Sequence, residues 1–310
     1  ALHDEFTLRT GKVKFPVGIA NEYVDVGYAY HWISPPTEVY ELGVDTIDAL
    51  NFEHYTELGD WTSRFNMVLG ARDFYSETGG DVKSENSWSF TWSMNRDWLT
   101  LRAIYSESRT TTGALDDFAA GINSLLGGTL TDEQIDYLDI NNDKAVFAGI
   151  GASVDFGSWF AASEYTIIEV EDSPRSNDRN SWYVTGGYRI NKFTISLTYA
   201  TIEDPNNQDT LDLLDDVVEP TLQFIEADPF GTVDNDVASV SAGQLLEALP
   251  AAYRAGVESE SYNLTVRYDF HPAAAFKVDY TQETAEYDQG LGTITEMEPS
   301  LIRMGVDLVF

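Results

Sequence analysis

The chain closes on IRMGVDLVF (Ile302–Phe310), in which Ile302, Met304, Val306, Leu308 and Phe310 are apolar at every second position. Between them lie Arg303, Gly305, Asp307 and Val309. A period of two belongs to a β-strand, whose successive side chains point to opposite faces. This strand has one apolar face and one mixed face.

The same alternation recurs upstream. Trp88, Phe90, Trp92 and Met94 alternate with Ser87, Ser89, Thr91 and Ser93. Phe193, Ile195, Leu197 and Tyr199 alternate with Thr194, Ser196 and Thr198. Tyr262, Leu264, Val266, Tyr268 and Phe270 oppose Ser261, Asn263, Thr265, Arg267 and Asp269. Each run is about ten residues, enough for a strand to cross a bilayer, and aromatics lie near the ends of the apolar faces, as in an interfacial girdle. No run approaches the length of a transmembrane helix.

The pattern predicts an all-β, transmembrane antiparallel β-barrel of twelve strands, near 4–15, 46–57, 61–73, 87–95, 97–108, 144–156, 158–171, 181–190, 192–203, 259–270, 273–287 and 299–310. In 46–57 either face could be outward. Connections alternate in length. The short ones are Leu58-Gly59-Asp60, Arg96, Gly157, Asn191 and His271-Pro272, and the long ones are 16–45, 74–86, 109–143, 172–180, 204–258 and 288–298. Tight turns on one side and long loops on the other are the habit of outer-membrane barrels. The reading treats 1–310 as a single barrel domain with both termini periplasmic and acidic extracellular loops at 109–143 and 204–258. Ala1 lies almost directly on a strand, so the chain reads either as a mature form or as one lacking N-terminal strands, which would raise the count to as many as sixteen.

The two longest loops carry helix-like apolar spacing at Ala114–Leu126, Thr131–Leu138, Leu211–Val218 and Ala242–Ala255. Thr131 with Gln134 resembles a capping box. Loop 204–258 is expected either to cap the rim or to fold into the lumen.

Charge narrows the function classes. With 52 acids against 18 bases the net charge is −34, which excludes free nucleic acid as a partner, since phosphate binding wants a basic surface. The acids crowd the loops, while bases favour strand positions. A Lys or Arg facing lipid would cost about 2–4 kcal/mol at the midplane, so these bases are assigned to the interior. The pore-lining set is Arg9, Lys12, Lys14, Arg64, Arg72, Arg102, Glu164, Arg189, Arg267, Asp269, Lys277, Asp279, Arg303 and Asp307. Arg9 has the opposite parity to Lys12 and Lys14 and joins them only through a bulge near Gly11. The inner charges either pair across strands and fill a narrow lumen or line a water-filled channel that screens solutes by charge.

No enzyme constellation appears. The four histidines are scattered and cysteine is absent, so there is no thiol nucleophile or disulfide framework. No cofactor is expected beyond loosely bound Ca or Mg at the acidic loops. Asp139-x-Asn141-x-Asp143 opens like a calcium loop, but Lys144 and Ile150 stand where the glycine and the closing Glu belong.

The stretch GKVKFPVGIANEYVDVGYAYHWISPPTEVYE, residues 11–41, resembles a recurring segment of proteobacterial porins. A strand ends in Gly-x-x-x-x-Pro, here Gly11 and Pro16. An aromatic loop follows through Tyr28, Tyr30 and Trp32, and it closes on Pro35, Pro36, Glu38 and Tyr40. The terminal Phe310 resembles the assembly signal of outer-membrane barrels. The chain is loosely similar to the phosphate-selective porin superfamily, although no dedicated lysine cluster matches. The resemblance implies a porin in the cell outer membrane, a homotrimer passing small hydrophilic solutes or ions by passive diffusion. Its partners would be outer-membrane lipid, lipopolysaccharide and the barrel assembly machinery. The alternatives are a barrel acting through its long loops as enzyme or adhesin, or a sheath for a partner protein.

Overall fold

The computed structural model describes residues 5–15, 18–20, 25–40, 46–76, 80–113, 120, 123, 131–132, 134–135, 140–171, 178–204, 256–288 and 294–309. The strands are β1 (Phe6–Lys14), β2 (Thr46–Leu58), β3 (Trp61–Ser76), β4 (Gly80–Arg96), β5 (Leu99–Thr112), β6 (Asn141–Asp155), β7 (Trp159–Val170), β8 (Asp178–Ile190), β9 (Phe193–Asp204), β10 (Gly256–His271), β11 (Ala274–Asp288), β12 (Ile294–Met297) and β13 (Ser300–Leu308). They form one sheet in which every strand pairs antiparallel with its sequence neighbour, except that β12 and β13 both pair with β11. β13 is the expected last strand, 299–310, while β12 falls within 288–298, expected as a loop; Pro299, which has no N–H to donate to the ladder, separates the two. All twelve expected strands are therefore present. Among the described residues β1 pairs with β2 alone and β13 with β11 alone.

The tight turns follow from residues that accept positive φ. Gly59 (+65°), Gly157 (+81°) and Asn191 (+55°) each reverse the chain in two or three residues. The turn expected at Arg96 falls at Asp97–Trp98 instead. The expected long loop 74–86 is mostly strand: β3 runs to Ser76 and β4 starts at Gly80. A register shift between Gly70 and Arg72, with Asn86 at φ +50°, breaks the alternation and conceals this extension.

One face of the sheet carries exposed apolar side chains. Leu197 (57%), Ile150 (65%) and Met304 (68%) lie in the open. Near the short turns Trp98, Phe156 and Trp159 stack with centroids 5.2 and 4.5 Å apart, and Phe193 stacks on Tyr268 at 4.7 Å. Towards the other end Trp182, Tyr199 and Tyr262 make a second aromatic row. Two aromatic rows flanking an aliphatic band suit a lipid boundary. The opposite face carries buried Ser89, Thr91, Thr166, Ser196, Thr198 and Thr265. It is concave: the described residues of the single stretch 18–40 bond to strands from β7 to β11 and to β13 across it.

The loop stretches Leu211–Val218 and Ala242–Ala255, all of Ala114–Leu126 but residues 120 and 123, the entry of 204–258 into the lumen, and Phe310 lie outside the described residues. The capping box is present. The Thr131 N–H donates to Gln134 Oε1 at 2.9 Å, and the Gln134 N–H donates to Thr131 Oγ1 at 3.2 Å.

Candidate functional site

The connection from β1 to β2, expected as an external loop, lies on the concave face. Its residues lack a helical or strand period, so its backbone groups need partners elsewhere. Gly27–Ala29 form a 3₁₀ turn, and after Pro35 and Pro36 the chain makes the single helical turn α1 (Thr37–Tyr40). Trp32 and Val39 are buried against Tyr183 and Ala200 of β8 and β9. The Trp32 indole meets the Tyr183 ring edge-on at 5.9 Å and donates to Thr198 Oγ1 at 2.8 Å. Phe15, leading into the stretch, packs on Phe147 at 6.2 Å. Burying each of these large side chains contributes about 1.5–3 kcal/mol.

The inner charges hold the backbone of this insert. Lys277 Nζ donates to the carbonyls of Gly27 and Trp32, each at 2.6 Å, and pairs with Asp307 at 2.9 Å. Arg267 donates to the carbonyls of Tyr28 at 2.7 Å and Tyr30 at 2.8 Å, and pairs with Asp269. Asp279 accepts from the Ile33 N–H at 3.0 Å and from Arg303, which also reaches Ser34 Oγ. Glu164 accepts from the Ile19 N–H and the Tyr183 hydroxyl, each at 2.7 Å, and from the Tyr40 hydroxyl. Ser261 donates to the Glu38 carboxylate. Lys277 (1% exposed) and Asp279 (0%) are sealed beneath the insert.

Twelve of the fourteen sequence-derived residues share the concave face, in two groups. Glu164, Arg189, Arg267, Asp269, Lys277, Asp279, Arg303 and Asp307 lie on β7–β13, where the insert rests. Arg9, Arg64, Arg72 and Arg102 lie on β1–β5. Lys12 and Lys14 have the other parity. Pairing of β1 with β2 runs unbroken across Gly11, so no bulge brings the two parities together. Arg9 shares the inner face with Asn51 and Glu53, while Lys12 and Lys14 share the parity of exposed Leu8, and Lys14 pairs with exposed Asp25 at 2.5 Å. Glu53 is a further inner residue. It pairs with Arg9 at 3.1 Å and with Arg64 at 2.5 Å. Its strand alternates without a bulky face, so parity alone could not assign it. Asp143, from the calcium-like triplet, accepts the Asn141 N–H at 3.1 Å. No group of three or more acidic or histidine side chains among the described residues could hold a metal.

Two cavities flank the insert. One of about 370 Å³, on the short-turn side, is lined by His31, Phe160, Asp155, Arg189, Arg267 and Asp269. The other, about 360 Å³, lies against Ser34, Pro36, Glu38, Asn263, Glu283 and Arg303. Arg189 grips Asp155 through both guanidinium nitrogens at 2.8 and 2.9 Å and lies over the Phe160 ring. His31 sits between Trp32 at 3.8 Å and Phe160 at 4.7 Å. Burial pushes its imidazole down to about 3, and Lys277, Arg189 and Arg267 push the same way. Burial, with Asp307 and Asp25, raises the Tyr30 phenol above its ordinary value.

The class defined by the fold is the outer-membrane β-barrel: one antiparallel sheet, short turns at one end, and an apolar outer face between aromatic rows. No helix among the described residues is long and apolar enough to cross a membrane. The solved structures it resembles include OmpT, an outer membrane protein of Vibrio cholerae, at 13% identity, covering 96% of this chain and 74% of that one with a TM-score of 0.51. They also include the outer membrane channel DcaP of Acinetobacter baumannii, at 9% identity, covering 97% and 71% with a TM-score of 0.53. No protein-family model matches the chain, so the looser likeness to phosphate-selective porins gains no support there, and no curated protein matches it.

Proposed function

We propose that this chain is a porin-type channel of the cell outer membrane, passing small hydrophilic solutes or ions by passive diffusion. The insert 18–40 is its constriction. The observation that carries this reading is the insert itself. Its described residues are pressed onto the β7–β13 side by Lys277, Arg267, Asp279 and Arg303. Solutes pass beside the insert, past Arg9 and Arg64, whose side chains are 58% and 35% exposed. The short turns face the periplasm and the acidic loops face outward, and copies assemble as homotrimers.

The test is purified, refolded protein in planar bilayers. Steady single-channel steps are expected, and shortening the insert between residues 20 and 36 should enlarge them. A folded, membrane-inserted protein that passes no current would overturn the reading.

A further inference from the structure

Both ends of the insert converge on one carboxylate. Glu164 Oε2 accepts the Ile19 N–H at 2.7 Å, near the start, and Glu164 Oε1 accepts the Tyr40 hydroxyl, at the end. The Ala20 N–H also donates to that Tyr40 oxygen at 3.0 Å, so the two ends touch each other as well as the wall. Glu164 is only 4% exposed, and the Tyr183 hydroxyl, on the neighbouring strand, gives it a third donor at 2.7 Å.

The surroundings leave room for this junction and for little else. A Cβ on Gly18 would stand 2.5 Å from Glu164 Oε2 and 2.7 Å from the Tyr40 hydroxyl. A Cβ on Gly151, directly across from Glu164 on β6, would meet its Cγ at 2.8 Å and Ile19 Cδ1 at 3.0 Å. Gly151 in turn pairs with Arg102, so the cation and the carboxylate lie on one row with a bare backbone between them. Two glycines from distant parts of the chain thus bracket a single acid.

We propose that Glu164 is the positioning residue that staples the two ends of the insert together on the barrel wall, so that its described segments, 18–20 and 25–40, are held there as one unit. This deepens the channel reading and rests on it for its conductance readout. The middle of the insert is held by Lys277, Arg267, Asp279 and Arg303. The staple keeps the ends from peeling away from those contacts. Without it the insert swings across the bore and the constriction loses its defined width.

The test compares wild type, Glu164→Ala, Glu164→Gln, Gly18→Ala, Tyr40→Phe and Tyr183→Phe, each checked for a heat-modifiable folded band. Two measurements are made: single-channel current, and the rate at which chymotrypsin cuts folded protein at Tyr28 or Tyr30. Glu164→Ala and Gly18→Ala should lose the quiet wild-type level, giving larger, fluctuating steps and faster cleavage. Glu164→Gln should fall between, since its amide oxygen can still accept from one end. Tyr40→Phe should shift both readouts more than Tyr183→Phe, because only Tyr40 belongs to the insert. If Glu164→Ala proves unable to fold, Gly18→Ala and Tyr40→Phe decide the matter. Wild-type current and cleavage in the folded variants would overturn the staple while leaving the channel reading intact. A wild type that conducts nothing, yet whose cleavage accelerates in the variants, would keep the staple and remove the channel.

Discussion

Lys277 shows what one residue can do in this interior. Its ammonium has an anion at Asp307, two carbonyls from the insert and the Tyr30 ring 4.8 Å away, and it is closed to solvent. Burying a charge is tolerated only when such partners are complete. Lys277→Met is expected to cost about 3 kcal/mol or more, because it strands Asp307 and two carbonyls. Urea unfolding in lipid vesicles would measure this, and a variant as stable as wild type would count against it. His31 carries a pH dependence of definite sign. Its imidazole titrates near 6.5 when unfolded and near 3 when seated, so the unfolded chain binds the proton first. Stability is therefore intact above 6.5 and declines as pH falls towards about 3, by at most about 1.4 kcal/mol per pH unit. The His31 share is read from the difference between wild type and His31→Phe across pH 4 to 7, and no difference in slope would refute it.

At the scale of the element, the strands were legible and the insert was not. Alternation over Trp88–Met94 or Phe193–Tyr199 carries its own periodicity, and Gly59, Gly157 and Asn191 mark the turns by their backbone freedom. Nothing local in residues 18–40 says whether they face water or the barrel interior. Their partners stand at Glu164, Arg267, Lys277 and Arg303, up to 269 residues away. The inward charges were legible as inward because lipid forbids them, but parity cannot tell a side chain that lines water from one that grips backbone. Lys12 and Lys14 have the other parity, near a strand's end, where Lys14 reaches Asp25 of the insert. Cysteine substitution with a small hydrophilic thiol reagent tests these placements. Arg9→Cys and Arg64→Cys should react quickly, as those side chains are 58% and 35% exposed. Arg267→Cys and Lys277→Cys should react slowly, and Leu197→Cys and Val306→Cys, facing lipid, hardly at all. Fast reaction at 277 would mean that the insert does not cover β11.

For the molecule as a whole, two charge sets compete over selectivity. The net charge of −34 lies largely in the loops, whose field is screened beyond about 8 Å at physiological salt. The arginines of the β1–β5 wall act in a confined space where screening is weaker. Mild cation preference is expected at low salt, fading or turning towards anions at high salt, and reversal potentials in a salt gradient would show it. Strong anion preference at low salt would assign the filter to the arginines alone. The insert also sets an order in time. Ile19 and Ile33, close to the first strand, find their partners at Glu164 and Asp279, 145 and 246 residues later. Closing such loops is slow, and the partners share no surface until the intervening strands have paired. Refolding should therefore run in two phases, sheet first and insert last. The newly made barrel would pass through a short-lived, wide-bored youth before it narrows.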